Sequence, residues 1–217
     1  MNIFRKDNQD KQDSQDNLQL NLGGGRRRYP NFINVDKAAL PETDLQWNLE
    51  KVPLPFAENS VSKIISEHTL EHVFNFVELL EEMYRITKPG GVWEIVVPYY
   101  KYEGTFRDPT HRCFFSENTF DYFKEGNTFD YYSPVRVKIL KKELRNHTKT
   151  NIPTLIKKIR PLIPFKRFFN LFLWNMYSEI YFKMQVVKYP AEHSTKHSTQ
   201  QHPTPKVNLN HWRACER

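Results

Sequence analysis

The sequence predicts an α/β domain built on a mostly parallel sheet, and three observations carry that expectation. Short β-branched runs alternate with helical spacing between residues 18 and 98. Three consecutive glycines, Gly23, Gly24 and Gly25, follow the first run, and the second run closes on an acid, Asp36. The chain has 217 residues, 39% of them hydrophobic and 14% aromatic, which suffices for one such domain with a real core.

Leu18 to Leu22 alternates apolar and polar side chains, the period of a strand with one buried face. Phe32 to Val35 is a second strand, ending at Asp36. A loop rich in Pro, Glu and Asp then passes Trp47 and Asn48 and reaches Pro53-Leu54-Pro55-Phe56. Val61 to Ser66 reads as a third strand. Residues 70–87 place Leu70, Val73, Phe74, Val77, Leu80, Met83 and Tyr84 at helical spacing, stopping before Pro89-Gly90-Gly91. Val92 to Val97 is a strand that Pro98 ends. A long aromatic excursion covers 99–132, and Val135 to Leu140 is another strand candidate. Residues 152–178 mix helical and turn segments broken by Pro153, Pro161 and Pro164, and Tyr181 to Tyr189 is a candidate last strand. Residues 1–17 are expected to be a flexible leader, 18–189 the domain, and 190–217 a disordered polar tail.

The net charge of +7 permits contact with nucleic acid, anionic lipid or acidic substrates without choosing among them. Two distant cysteines, Cys113 and Cys215, exclude a disulfide framework and a cysteine-built metal site. No apolar run follows Met1, and no uncharged run reaches the roughly 18 residues of a membrane span. The expected location is the cytoplasm.

The glycine turn lets backbone approach a ligand, although a plain tight turn would use the same residues. A dinucleotide site needs G-x-G-x-x-G and an acid about 20 residues further on. Here Arg28 fills the third glycine slot and Asp36 comes too early. Only Arg26 to Asn31 separate Gly25 from the next strand, so the first crossover helix is expected to be shortened or missing. A ligand without phosphate, needing close backbone approach and an acid for ribose hydroxyls, suits Gly23, Gly25 and Asp36 better.

Leu20-Asn21-Leu22-Gly23-Gly24-Gly25, Asn34-Val35-Asp36, Leu54-Pro55-Phe56, His68-Thr69-Leu70-Glu71-His72 and Arg85-Ile86-Thr87-Lys88-Pro89-Gly90-Gly91 occur in this order. Together they resemble the class I S-adenosylmethionine-dependent methyltransferases, over residues 18–98. The resemblance implies a Rossmann-like, mostly parallel sheet with an antiparallel last strand, S-adenosylmethionine as cofactor, and methyl transfer as activity. It implies that Gly23 and Gly25 line the methionine end, and that Asp36 accepts from the ribose diol. Asn48, beside Trp47, lies near adenine, and Ser66, Glu67 and His68 flank the methionyl group and the methyl. Asn21 stands where the family often has an acid for the cofactor's amino group, and its amide oxygen can still accept. Residues 99–180 would form the acceptor side, with a small-molecule or saccharide-type acceptor.

Methyl transfer mainly requires alignment of two reactants, and a hydroxyl or ammonium acceptor also requires a base. His68, Glu71 and His72 share one face if their segment is helical. Their His-x-x-Glu-His order also matches an inverted zinc motif, but no third ligand is evident and no metal is expected. Catalytic candidates are His68 and the loop after Pro98, with His111 as base, Asp108 as its orienting partner and Arg112 as an anion clamp. A turn fixed by Asp108 and Pro109, with His111 bonded to backbone, is the alternative. Tyr99, Tyr100 and Tyr102 either wall an acceptor pocket or pack.

Val97-Pro98-Tyr99-Tyr100 lacks the amide or acid of the base-methylating signature, so nucleic acid is not an expected substrate. No nucleic-acid-binding motif is present. Between 136 and 189, Lys and Arg far outnumber the acids Glu143 and Glu179. Around 155–182 they interleave with Leu, Ile, Phe and Trp174, a pattern that suits either a helical cap or contact with an anionic membrane. The main alternative function is therefore a methyltransferase-like binding or membrane-associated module with weak catalysis.

Overall fold

The computed structural model describes residues 18–127, 131–146 and 165–189. The expected leader, the tail and residues 152–164 of the mixed segment 152–178 lie outside these residues. Among the described residues seven strands form one sheet: β1 (Leu18–Leu22), β2 (Ile33–Asp36), β3 (Leu45–Gln46), β4 (Val61–Glu67), β5 (Thr87–Pro98), β6 (Val137–Arg145) and β7 (Glu179–Val186). Their order across the sheet is β3-β2-β1-β4-β5-β7-β6. The first five in that order run parallel, and β7 is antiparallel to both β5 and β6. The described residues up to Val187 form one compact unit, and Lys188 begins a second.

The α/β class, the mostly parallel sheet and the antiparallel last strand are as the sequence and its resemblance implied. One strand was missed. β3 has only two residues, and its pairings Val35↔Leu45 and Asp36↔Gln46 come from tertiary docking, since no pattern can emerge over that length. The strand at Val61 is therefore the fourth.

The stretch 70–87 is not one helix. Leu70–His72 is a single 3-10 turn, and helix α1 spans Phe76–Ile86. α1 buries Leu79, Leu80, Met83 and Ile86, whereas Phe74 is 82% exposed and Val77 41% exposed. The helical spacing at 73–77 thus reflects two segments read as one. Two further short helices follow, α2 (Glu103–Arg107) and α3 (Lys166–Phe169).

One sheet face is apolar. Leu20 pairs with Ile64, Ile64 with Trp93, and Ile95 with Phe182, and all are fully buried. Full burial of each such side chain contributes about 1.5–3 kcal/mol. Trp93 Nε1 donates to Thr87 Oγ1 at 2.9 Å, so its one polar atom is satisfied. On the other face, Lys63 pairs with Glu94 at 3.0 Å and Lys183 approaches Glu94 at 3.7 Å.

Among the described residues no helix connects β1 to β2, as the six-residue spacing predicted. Instead the loop is tied down by two buried asparagines on neighbouring strands. Asn21 Nδ2 donates to Asn34 Oδ1 at 2.5 Å and to Arg27 O at 2.9 Å. Asn34 Nδ2 donates to Gly25 O at 3.3 Å and to Glu42 O at 2.9 Å. Gly24 sits directly on these two amides, with no space for a Cβ.

Candidate functional site

The strand order reverses at β1, with β2 on one side and β4 on the other. In an open parallel sheet, ligands bind outside the strand C-termini at such a switch point. Gly23 follows β1, Asp36 ends β2 and His68 follows β4. With Lys37, Asn48, Leu49, Glu50, Thr69, His72, Val73 and Thr110 they line a cleft of about 390 Å³. A second recess of about 450 Å³ shares Gly23 and His68 and adds Asn21, Gly24, Arg26, Arg27 and Glu67.

The backbone at the cleft floor requires glycine. Gly23 has φ +68°, and a Cβ there would strike Thr69, whose Oγ1 donates to Gly23 O at 3.1 Å. Gly25 has φ +52°, and its N–H donates to Asp36 Oδ2 at 2.8 Å. Asp36 Oδ1 accepts from Ala38 N at 2.8 Å. A carboxylate has about four lone-pair sites, so Asp36 keeps acceptor capacity for ligand hydroxyls.

Six of the residues singled out in the sequence therefore meet around two adjoining recesses: Asn21, Gly23, Asp36, Asn48, Glu67 and His68. Gly25 acts behind Asp36 and lines neither recess. Ser66 lies opposite Ile95 in the sheet, 1% exposed, and also lines neither. The alternation of β4 turns it to the apolar face while Glu67 turns the other way. Asn21 spends its amide hydrogens on Asn34 Oδ1 and Arg27 O, so a ligand could engage only its Oδ1. Glu67 Oε1 accepts from Tyr29 OH at 2.9 Å, and its carboxylate forms an ion pair with Arg27.

His68 takes a left-handed backbone conformation, φ +51°. Its Nε2 lies 3.1 Å from Glu179 Oε2 and its Nδ1 lies 3.4 Å from Glu71 Oε1. Burial alone would lower its pKa, but the hydrogen bonds to Glu179 and Glu71 and their charges outweigh burial and raise it to about 9. His68 is then protonated at neutral pH and serves as a donor. Its shared helical face with Glu71 and His72 does not form, because the segment is a 3-10 turn. His68 meets Glu71, while His72 turns away to Thr110.

The loop after β5 brings Thr110 to the cleft, whereas His111 and Asp108 line neither recess. His111 Nδ1 lies 2.7 Å from Thr105 O, a carbonyl that can only accept, so Nδ1 carries the proton. Asp108 is not on that nitrogen. Its Oδ2 lies 3.9 Å from His111 Nε2, and its Oδ1 accepts from Thr110 Oγ1 at 2.6 Å and Thr110 N at 2.9 Å. The Thr110 hydroxyl, then its backbone N–H, hold the Asp108 carboxyl below the usual range. Asp108 thus orients His72 rather than His111: Thr110 Oγ1 gives its one proton to Asp108 and must accept from His72 Nδ1 at 2.9 Å. Arg112 is exposed, and its backbone N–H donates to Glu71 O at 2.6 Å. Tyr99 packs in the core, with its hydroxyl accepting from Asn170 Nδ2 at 2.9 Å.

Sequence reasoning missed Thr69, Thr110 and Glu179. Glu179 lies at the start of β7, and no local pattern links it to His68; only the antiparallel docking of β7 on β5 does.

Residues 28–95 match a family model described as a methyltransferase domain. A structure of an S-adenosylmethionine-dependent methyltransferase from Archaeoglobus fulgidus superposes with a TM-score of 0.54 at 15% identity, covering 84% of this chain and 93% of that one. The chain has the class I S-adenosylmethionine-dependent methyltransferase fold. The YcgJ protein of Bacillus subtilis gives a TM-score of 0.52 at 14% identity over 82% and 94% of the two chains. A chain from the complex between the Haloferax volcanii Trm112 methyltransferase activator and a methyltransferase gives 0.51 at 17% identity over 80% and 84%. No curated protein matches the sequence significantly. The resemblance read from the five sequence motifs is thus met by a family match and by the fold. Among the described residues no helix is long and apolar enough to cross a membrane.

Proposed function

We propose that this methyltransferase domain binds S-adenosylmethionine across the two adjoining recesses and transfers its methyl group to a small-molecule or saccharide-type acceptor. The observation that carries the reading is the convergence of Gly23, Asp36 and His68 on one cleft at the reversal of strand order. In this pose Asp36 accepts from the ribose diol, and Lys37, Asn48 and Leu49 flank the adenine. The amino-acid end lies over Gly23, where Glu67 and Asn21 Oδ1 suit an ammonium and Arg26 and Arg27 suit a carboxylate.

The methyl group then points toward His68, His72 and Thr110, where the acceptor enters. Transfer is a displacement in which the acceptor's lone pair attacks the methyl carbon and the sulfonium bond breaks. Alignment of the two reactants and exclusion of water are the main contributions of the protein. Where a proton must leave the acceptor, Nε2 of His72 or of His111 is the atom to take it, since both Nδ1 atoms are engaged elsewhere. Asp108 contributes by holding His72 through Thr110.

The test is product formation. The protein incubated with S-adenosylmethionine and panels of polyol, saccharide and phenol acceptors should release S-adenosylhomocysteine in an acceptor-dependent way. Release independent of every acceptor, or none, would count against transfer.

A second reading has its own support. Phe165, Phe168, Leu171, Phe172 and Trp174 are all more than half exposed, and Lys166 and Arg167 stand among them in the sequence. Such a surface suits peripheral contact with an anionic membrane, which could bring a lipid-bound acceptor to the domain or serve a weakly catalytic binding module.

A further inference from the structure

Glu71, His72 and His111 form a cluster that cofactor binding leaves unexplained. The three offer ligand atoms within 4.8 Å of one another. Glu71 is 1% exposed, and its Oε2 has no hydrogen-bond partner among the described residues, while Oε1 meets the His68 ring. A buried carboxylate is strongly disfavoured unless a cation balances it. The His68 ring supplies part of that balance on one oxygen, at 3.4 Å, but it is shared with Glu179.

Both imidazoles are set for coordination. His111 gives its Nδ1 proton to Thr105 O. His72 gives its own to Thr110 Oγ1, which is fixed in turn by Asp108. With Nδ1 engaged in each ring, Nε2 is the nitrogen left to coordinate. An Nδ1–H bonded to a carbonyl, or through a hydroxyl to a carboxylate, is the usual outer-shell support of a metal-binding histidine. The rings meet edge to face, with centroids 4.8 Å apart.

We propose that Glu71, His72 and His111 bind one divalent transition-metal ion, with Zn²⁺ best suited to the set. Two histidines and one carboxylate with a position left open is a recurring zinc arrangement, and iron(II) also accepts it. Bonds of about 2.0–2.2 Å need only small side-chain movements from the present spacing. The sequence supplied two adjacent ligands, and the fold brings the third from the loop after β5. His72 and Thr110 line the Gly23–Asp36 cleft, so the open position faces it. On the reading that this cleft transfers a methyl group, the ion would hold an acceptor oxygen and lower its pKa, and the two imidazoles would be ligands rather than bases.

The full chain, stripped with chelator, is titrated with Zn²⁺ and separately with Co²⁺ as a spectroscopic probe. One equivalent of Zn²⁺ should survive desalting, and Co²⁺ should give the visible absorption of a low-coordinate N/O site. Glu71→Gln and His111→Ala should each weaken binding at least tenfold. Thr110→Val, which releases only the support of His72, should weaken it about 10–100-fold. That variant alters an exposed side chain, so it keeps the test open should the buried substitutions fail to fold. Replacing His193, His197, His202 and His211 by Ala should leave binding unchanged. Absence of a retained equivalent, parental affinity in both His111→Ala and Thr110→Val, or loss on replacing the four tail histidines would each overturn the site. S-adenosylhomocysteine binding is measured on the same metal-free samples. Metal uptake without cofactor binding would sink the methyltransferase reading alone, and cofactor binding without metal uptake would sink the metal site alone.

Discussion

Asp36 accepts the backbone N–H of Gly25 at 2.8 Å, joining the end of β2 to the turn after β1. The bond works without a crossover helix. In its place the short loop leans on the Asn21–Asn34 amide pair, and the glycine turn, the asparagines and the acid form one unit beneath the cleft.

Gly24→Ala should disturb that unit. The new Cβ would collide with the amides of Asn21 and Asn34, both buried. Overpacking of this kind costs about 1–3 kcal/mol. Thermal unfolding should show a clear drop in Tm, and an unchanged Tm would mean the loop is not held by the pair.

Asn34→Ala removes the partner of Asn21 and the donor to Gly25 O and Glu42 O. Leaving buried polar groups unpaired costs about 1–3 kcal/mol. Cofactor affinity should fall as well, because Gly25 then loses one of its two anchors. Chemical denaturation combined with a binding titration checks both.

Glu82 gives a pH dependence. Its carboxylate accepts from Arg85 Nε and Nη2, both at 2.9 Å, and from Leu54 N at 2.9 Å, while Arg85 also holds Leu54 O and Phe56 O. The Arg85 hydrogen bonds outweigh burial and lower its pKa below the ordinary 4.5. A depressed folded-state pKa contributes stability above the unfolded value that is lost as pH falls through the folded one. Glu82→Gln should therefore destabilise the protein at pH 7 and show a shallower loss of stability on acidification below about pH 4.5 than the parent. Equal acid sensitivity of the two proteins would contradict the assignment.

The exposed aromatics give a surface prediction. Phe172→Ser with Trp174→Ser should reduce co-sedimentation with vesicles containing anionic lipid, more than with neutral vesicles. Equal or absent sedimentation of the parent would remove the membrane reading.

Legibility in the sequence followed the length over which a pattern can repeat. β1, β2, β4 and β5 were visible because alternation or β-branched runs extend over four residues or more. The missing crossover helix was visible in spacing alone. β3 was not, since two residues carry no period. The 3-10 turn at Leu70–His72 was hidden because its apolar residues continue those of α1 in phase, and only burial separates Phe74 from Leu79. In the site, Gly23 and Asp36 were legible from their places after strands. Ser66 was not, because its facing depends on which neighbour of β4 turns inward. The reach of Glu179 to His68, of Asp108 to His72 through Thr110, and of His111 to Glu71 are products of tertiary docking that no local spacing encodes.

The central claim is the cofactor cleft between Gly23 and Asp36, and a calorimetric titration of S-adenosylmethionine or S-adenosylhomocysteine tests it most directly. The parent protein should bind saturably with one site per chain. Asp36→Ala should weaken that binding at least tenfold, through loss of the ribose acceptor and of the Gly25 bond. No saturable binding by the parent, or equal affinity of parent and Asp36→Ala, would contradict it.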